Sequence, residues 1–203
     1  TNETQTISIL DDGSAFNVAF DSTQPDTPDQ LCSFTNANSG NLNGGDIEVT
    51  VECVTTQYDV NITVTGLAAT NFISFSNGGD MLIFGVNQTK TISTLDDGAG
   101  FNVSIDSLQP DTPDQVCSFT NANSGSLNGA DVEVTVECVT TQYDVNVTVT
   151  GLAATNSIRF ANGAISVIFT TNETQTISVL DDGSSYDVYI ILTQLDTPDQ
   201  VCS

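Results

Sequence analysis

The sequence contains no histidine and no tryptophan, and only two of its 203 residues are basic, Lys90 and Arg159. Without histidine, a serine or cysteine nucleophile has no imidazole base to activate it, which argues against acyl transfer. Paired carboxylates alone could cleave glycosides. The aspartate pairs of this chain, however, recur at a fixed spacing, which is typical of a structural feature. We therefore expect no enzymatic activity.

The near absence of positive charge excludes further classes of function. Against the two basic residues stand 26 acidic ones, so the formal net charge is −24. Nucleic-acid binding needs clustered Lys and Arg, and an anionic membrane surface would repel this chain. No apolar run approaches the length of roughly 18 residues that a membrane-spanning helix needs, so we expect no membrane insertion. The acidity itself is typical of a solvated, self-repelling surface.

The sequence does have a regular internal repeat. Tyr58-Asp-Val-Asn-Ile-Thr-Val-Thr-Gly-Leu67 returns as Tyr143-Asp-Val-Asn-Val-Thr-Val-Thr-Gly-Leu152, and the repeat length is 143 − 58 = 85. Such a repeat predicts an array of similar modules. We divide the chain into an incomplete repeat over 1–57, a complete repeat over 58–142 and an incomplete repeat over 143–203. Because neither end coincides with the repeat, we expect a slice of a longer array whose targeting segment lies elsewhere.

Strand patterns are dense in the complete repeat, and helix patterns are absent. Asp131–Cys138 alternates apolar and polar residues, as half-buried strands do, and so does Tyr143–Thr150, whose copy within the complete repeat lies at 58–65. Turn-forming Asn-Gly and Asp-Gly pairs separate further strand patterns. These patterns lie at Phe72–Ser76, Met81–Val86, Thr89–Leu95, Phe101–Leu108 and Gln115–Thr120. Seven short strands within one repeat predict an all-β fold of tandem antiparallel seven-stranded β-sandwiches.

The five cysteines follow the repeat. Cys32, Cys117 and Cys202 share one position, and Cys53 and Cys138 share a second position that follows the first at a constant spacing. The simplest pairing is Cys32–Cys53 and Cys117–Cys138, which leaves Cys202 for a residue beyond this sequence or, less simply, for another chain. Zinc is a poor alternative, because histidine and C-x-x-C are absent. Disulfides predict an oxidising compartment, so we expect a secreted or cell-surface protein.

The motifs of the last copy resemble those of a known class of repeats. Val-Thr-Gly-Leu (149–152), Phe160-Ala-Asn-Gly163, Asp182-Gly-Ser-Ser-Tyr-Asp-Val188 and Leu192-Thr-Gln194, closing on Cys202, are similar to tandem repeats of large bacterial secreted and surface proteins. The resemblance covers the whole chain. It implies an immunoglobulin-like or transthyretin-like sandwich, extracellular display and stacking in rows, and it implies no chemistry. Related pilin-type sandwiches carry Lys–Asn cross-links, for which this chain has only Lys90.

Two aspartate motifs recur in the copies, Asp-Asp-Gly and Asp-Thr-Pro-Asp. Oxygen-rich loops suit Ca²⁺, but the spacing matches no EF-hand, and both motifs are ordinary turn formers. We prefer the interpretation that both motifs form turns, and in that case the protein requires no cofactor. If Ca²⁺ binds, we expect it at the junction between modules. The candidate ligands are Asp11, Asp12, Asp26, Asp29, Asp96, Asp97, Asp111, Asp114, Asp181, Asp182, Asp196 and Asp199.

Glycosylation and contact with another chain are two further possibilities. In the last copy, Tyr189 and Ile191 stand where the complete copy has Ser104 and Asp106. An exposed Tyr/Ile pair is a candidate interface, and the alternative is a face covered by a neighbouring loop. Asn-x-Ser/Thr sequences are candidate glycan acceptors, although chance also produces them in a chain rich in Asn and Thr. They begin at Asn2, Asn61, Asn87, Asn102, Asn146 and Asn172.

Two hypotheses on function follow. The first is a non-catalytic extracellular array of disulfide-linked sandwiches, forming a stalk or a self-assembled surface filament in which copies of the chain are each other's partners. Strand exchange between incomplete modules is one route to such a polymer. The alternative is an adhesin whose repeats bind a surface glycan or protein, with or without calcium. Sugar-binding loops usually present aromatic side chains, and the loops of the complete repeat are nearly without them, which favours the first hypothesis.

Overall fold

A computed structural model of the chain describes residues 3–21, 27–108 and 112–194, together with Gln200 and Cys202. Every regular element in these residues is a β-strand. Over the same residues, the chain has no helix with the length and apolar character needed to cross a membrane. The protein is therefore all-β, as the alternating sequence pattern predicts.

Seventeen strands are described, in three groups that follow one another along the chain. The first is β1 Ala15–Asn17, β2 Gln30–Phe34, β3 Ser39–Asn41 and β4 Val51–Thr55. The second is β5 Gln57–Thr65, β6 Ile73–Asn77, β7 Asp80–Phe84, β8 Gln88–Asp96, β9 Gly100–Leu108, β10 Gln115–Phe119, β11 Ser124–Ser126 and β12 Val132–Thr140. The third is β13 Gln142–Thr148, β14 Ser157–Asn162, β15 Ile165–Phe169, β16 Thr174–Asp181 and β17 Val188–Gln194.

Strands β5 to β12 form a central unit, residues 57–140, that contains two four-stranded sheets. The strand order is β10-β12-β5-β8 in the first sheet and β11-β9-β6-β7 in the second. The apolar faces of both sheets contribute to one core, because alternate residues of each strand point to it. Val60, Ile62, Phe75, Phe84 and Val134 are each completely buried there. The arrangement is consistent with a β-sandwich.

The first sheet contains one parallel pair, which differs from the antiparallel fold expected from the sequence. Strand β12 lies beside β5 in parallel, in a register that runs from Val132 opposite Val60 to Glu137 opposite Thr65. The other described pairs are antiparallel. The first and last strands of the unit therefore run in the same direction, and the chain leaves the unit at the end opposite to its entry.

The central unit also has eight strands where the sequence pattern predicts seven. The additional strand is β11, which lies in the Asn/Gly/Ser-rich segment 121–129, where the sequence pattern predicts no strand. It pairs with Gly100, Phe101 and Asn102 of β9. Nearby, the side-chain amide of Asn123 donates a hydrogen bond of 2.8 Å to the Val103 carbonyl.

Both disulfides expected from the cysteine spacing are present. Cys32 and Cys53 are bonded, as are Cys117 and Cys138. In each case the two cysteines lie directly opposite one another in an antiparallel pair, β2 with β4 and β10 with β12. Cys202 forms no disulfide within the described part of the chain, and it packs against the core of the third strand group.

The parts before and after the central unit contain fewer strands. Residues 3–56 form two small sheets, β1-β3 and β2-β4, and leave apolar side chains such as Ile7 and Ile9 exposed. Residues 141–194 form the sheets β13-β16 and β15-β14-β17. Their strands bury a second core around Ile158 and Phe169. Each part repeats, at the spacing of the sequence repeat, strand pairings that also occur in the central unit.

Candidate functional site

The chain passes from one strand group to the next through a single residue. Strand β4 ends at Thr55 and β5 begins at Gln57, so Thr56 alone links them. Its N–H donates to the Asp29 carbonyl at 2.8 Å, and its own carbonyl accepts the N–H of Asp97 at 2.8 Å. Both backbone polar groups of the linker are therefore fixed, one to the preceding part and one to the central unit. Such a link resists bending, because bending must break one of these hydrogen bonds.

The side chain of Asp97 joins three segments at this junction. Its Oδ2 accepts the N–H of Asp29 from the preceding part at 2.8 Å. Its Oδ1 accepts the N–H of Gly129, within the central unit, also at 2.8 Å. Asp97 occupies the Asp-Asp-Gly turn between β8 and β9, and only 4% of its surface is exposed. A buried carboxylate of this kind is stable because both of its oxygens accept hydrogen bonds.

The same hydrogen bonds set the charge state of Asp97. The backbone N–H of Gly129, followed by that of Asp29, holds the pKa of the Asp97 carboxyl below its ordinary value, and this effect outweighs the opposing effect of burial. Hydrogen bonds donated to a carboxylate favour its ionised form. The junction is therefore assembled around a negative charge that the backbone itself stabilises.

The phenol of Tyr58 adds a further contact across the junction. Its hydroxyl donates to Asp29 Oδ2 over 3.4 Å. Burial, followed by the charge of Asp29, raises the pKa of Tyr58, so the phenol stays protonated and remains a donor. Tyr143 stands in the same relation to Asp114, also at 3.4 Å.

A second junction repeats the first at the spacing of the sequence repeat. Thr141 alone separates β12 from β13. Its N–H donates to the Asp114 carbonyl at 2.9 Å, and its carbonyl accepts the N–H of Asp182 at 2.8 Å. The Asp182 Oδ2 accepts the N–H of Asp114 at 2.8 Å. The two junctions thus share donors, acceptors and, to within 0.1 Å, the distances between them.

The glycine of the Asp-Asp-Gly turn also contacts the neighbouring part of the chain. Gly98 has φ +83°, and a Cβ added to it would lie 3.0 Å from the methyl group of Thr27. Gly183 has the same relation to Thr112, at 2.9 Å. At Gly13, with φ +81°, nothing lies within 4 Å. Glycine is therefore needed for the turn in all three copies, and it is also needed for close approach where two parts of the chain meet.

No protein-family model matches this chain, and it has no significant match among curated proteins or solved structures.

The predicted calcium ligands divide into several groups. Asp29, Asp97, Asp114 and Asp182 do meet at the junctions, where they hold backbone N–H groups and tyrosine hydroxyls. Asp96 and Asp181 instead accept hydrogen bonds from Gln57 and Gln142, and Asp12 accepts the N–H of Gly44. The backbone carbonyl of Asp11 accepts the N–H of Ser14 at 3.1 Å. Within the described ranges, no group of three or more acidic, histidine or cysteine residues could hold a metal ion. Asp26, Asp111, Asp196 and Asp199 lie outside the described residues.

The candidate glycan acceptors differ in their environments. The amide of Asn87 accepts the N–H of Leu67 at 2.8 Å and donates to its carbonyl at 3.1 Å, so it closes the Gly-Leu turn. Asn172 does the same with Leu152. Asn102 and Asn146 lie exposed on strands. Asn61 is half-buried and accepts the Thr91 hydroxyl, and Asn2 lies outside the described residues.

The candidate interface residues remain exposed. Tyr189 and Ile191 have 47% and 49% of their surface exposed, so no neighbouring loop of the described chain covers them. They stand out in the sequence because they break the polar pattern of the outer strand positions. The junction residues Thr56 and Thr141 were not among the predicted site residues. Their signal is the recurrence of Thr-Thr-Gln-Tyr-Asp-Val at 55–60 and 140–145, which begins two residues after the second cysteine of each pair.

Proposed function

We propose that this chain is a non-catalytic extracellular structural protein, whose repeated units stack end to end into a stiff stalk or a self-assembled surface filament. The observation that supports this most directly is the one-residue link at each junction. Both polar groups of the linking threonine are hydrogen-bonded, and a buried or half-buried aspartate adds a further hydrogen bond between the two sides. Because the two junctions have the same contacts, successive units are related by the same rotation and translation, as a regular rod requires.

The parallel pair gives this rod an axial period. Val132 lies opposite Val60 in the register of β12 and β5. The equivalent of Val60 in the next copy is Val145, which follows Val132 along nearly continuous strand, at a sequence separation of 145 − 132 = 13. At about 3.3 Å per residue, each unit advances the rod by about 43 Å.

Three further properties fit an extracellular rod. The two disulfides indicate an oxidising environment and link strands covalently within the units. The net charge of −24 keeps neighbouring rods soluble. The resemblance to repeats of bacterial secreted and surface proteins agrees with both, and an immunoglobulin-like sandwich is the unit that we propose for the rod.

Electron microscopy of the native material, with and without a calcium chelator, tests the proposal. We expect rods with an axial repeat of about 43 Å that persist in the chelator, because the junction contacts use only protein groups. Flexible beads without a fixed spacing would contradict the stiff rod and favour the adhesin alternative. Rods that disperse only in the chelator would show that calcium completes the junction.

A further inference from the structure

The outer face of the second sheet changes its chemistry between the central unit and the last strand group. We call Ser74, Ser76, Met81, Ile83, Ser104 and Asp106 the central face. We call the equivalent residues of the next copy the C-terminal face: Arg159, Ala161, Ser166, Ile168, Tyr189 and Ile191. Ser166 stands there at the position of Met81. Both sets lie on the side of their sheet away from the core, because Phe75 in the central unit and Ile158 and Phe169 in the last group face inward at alternating positions. The small side chains of Ser74 and Ala161 are themselves buried, so they add little to the accessible surface of the two faces.

On the central face the hydroxyl groups satisfy one another. Ser76 lies 2.9 Å from Ser104, and it donates to Asp106 Oδ1 at 2.8 Å. The second carboxylate oxygen of Asp106 has no partner among the described residues. Beside these groups, on the edge strand β7, Met81 and Ile83 are 70% and 57% exposed. The central face thus combines an available carboxylate with an exposed apolar edge.

On the C-terminal face these polar groups are absent. Tyr189, Ile191 and Ile168 are about half exposed and form an apolar surface. Within it lies Arg159, one of only two basic residues in the chain. Its Nε is buried and has no hydrogen-bond partner in the described part of the chain. A buried guanidinium N–H without an acceptor is costly, and the half-buried Arg159 forms no ion pair with a carboxylate of the described residues.

The exposure of the C-terminal face does not arise from an absent strand of its own unit. In the central unit, β11 pairs with β9 only at Gly100, Phe101 and Asn102. The equivalent positions, 185–187, precede Tyr189 and Ile191. A strand added there would extend the edge of the sheet and would leave its outer face uncovered.

We propose that the C-terminal face of one chain binds the central face of a second copy of this chain. Arg159 pairs with Asp106 of the other copy, and Tyr189 and Ile191 pack on Met81 and Ile83. Complementarity selects this occupant: the central face offers the open carboxylate oxygen of Asp106 to the guanidinium of Arg159, and it offers the exposed Met81 and Ile83 to Tyr189 and Ile191. Tyrosine and arginine are the residues that most often dominate such contacts.

The contact is heterologous, because two different faces meet. Each chain can therefore bind a further chain through its unused face, whereas a two-fold contact would stop at a dimer. Neighbouring chains are then staggered by one unit, about 43 Å along the rod. The lateral bundling of rods, which is a consequence of this contact, rests on the proposed function. The contact itself can be tested on separate chains.

A charge exchange between two chains tests the pairing. Arg159→Asp and Asp106→Arg each place like charges in contact, so each variant alone should associate at least tenfold more weakly than the unmodified chain in sedimentation velocity at up to about 1 mM. An equimolar mixture should regain association, because the unchanged Arg159 of one variant meets the unchanged Asp106 of the other, and the two introduced residues pair in the same way. Regain in the mixture also demonstrates that both variants are folded.

A second variant removes the apolar part of the contact. Tyr189→Ser with Ile191→Asp installs the residues that the central unit carries at these positions, so the sheet should accept them. We expect association to be lost. A monomeric unmodified chain, association that persists in the variants, or a mixture that stays monomeric would each overturn the proposal. None of these outcomes alters the axial period of the rods, so failure here is distinct from failure of the proposed function.

Discussion

The second aspartates of the three Asp-Asp-Gly turns differ in whether they accept a hydrogen bond from within their own part of the chain, from across a junction, or both. Asp12 accepts only the N–H of Gly44, within its own part of the chain. Asp182 accepts the N–H of Asp114 across a junction. Asp97 accepts hydrogen bonds of both kinds. Because the local turn is the same in each case, substitution of the three residues isolates the hydrogen bond that crosses the junction.

We expect Asp97→Asn to lower the thermal midpoint of unfolding by about 5 °C, the effect of losing one hydrogen bond to a charged group in a chain of this size. The asparagine has one acceptor oxygen, so its NH₂ group must face the N–H of either Asp29 or Gly129. Asp12→Asn should lower the midpoint far less, because one oxygen suffices for Gly44. Hydrogen exchange of the Asp29 amide locates the loss. Equal effects in the two variants would contradict a role at the junction.

Acid provides an independent readout of the same carboxylate. The folded pKa of Asp97 lies below its ordinary value of 3.8. Its contribution to stability is therefore complete above that ordinary value and is lost as the pH falls through the lower, folded pKa. The thermal midpoint of the unmodified chain should fall in this range more steeply than that of Asp97→Asn. Parallel acid profiles would mean that Asp97 gains nothing from its ionised form.

At the scale of elements, the parallel pair of β5 and β12 depends on a glycine. Gly66 follows β5 with φ +72°, and a Cβ added there would collide with the carbonyl oxygen of Cys138 in β12. Gly151 has the same motif and φ +75°, with nothing within 4 Å. Gly151→Ala should cost about 1–2 kcal/mol for the left-handed backbone alone, and Gly66→Ala should cost clearly more. Similar midpoints in thermal unfolding would show that β12 moves aside without cost.

Strand formation in this chain depends on the partner strand as well as on the local sequence. Thr4-Gln-Thr-Ile-Ser-Ile-Leu10 and Thr89-Lys-Thr-Ile-Ser-Thr-Leu95 differ at two positions, yet only the second forms a strand, β8. The second lies beside β5, and the first has no such neighbour in the described chain. Likewise β12 has nine residues where β4 has five, because the first half of β12 pairs with β5. Alternation thus predicts which residues can form a strand, and pairing decides whether they do.

The sequence predicted the all-β class, the strand positions to within a few residues and the cysteine pairs, because each depends on local pattern or spacing. It did not reveal β11, whose Ser-Gly-Ser sequence has no apolar alternation. Nor did it reveal the direction of β12 relative to β5, which depends on residues far apart along the chain. The junction was predicted only as the place where Ca²⁺ would bind its aspartate ligands, if it binds. That their partners are backbone N–H groups follows from the loop conformation, which the sequence does not display.

At the scale of the whole molecule, the charge opposes the association of chains. A net charge of −24 on 203 residues produces a repulsion that salt weakens, since the Debye length falls from about 30 Å at 0.01 M to about 8 Å at 0.15 M. Salt also weakens the single proposed pair, Arg159 with Asp106. The repulsion involves many charges at longer range, so we expect its screening to dominate.

We therefore expect both the thermal midpoint and the sedimentation coefficient to rise between about 0.01 and 0.15 M NaCl. The midpoint should rise by a few degrees, about 2–4 °C for each kcal/mol of repulsion removed. Arg159→Asp makes the net charge more negative by two, so the thermal midpoint of this variant should rise with salt at least as much as that of the unmodified chain. The sedimentation coefficient of the variant should not rise, because the variant lacks the cation of the proposed contact. If the midpoint falls as salt is added, attractive ion pairs outweigh the repulsion. The stability of the rod would then depend on its two cations rather than on the screening of its carboxylates.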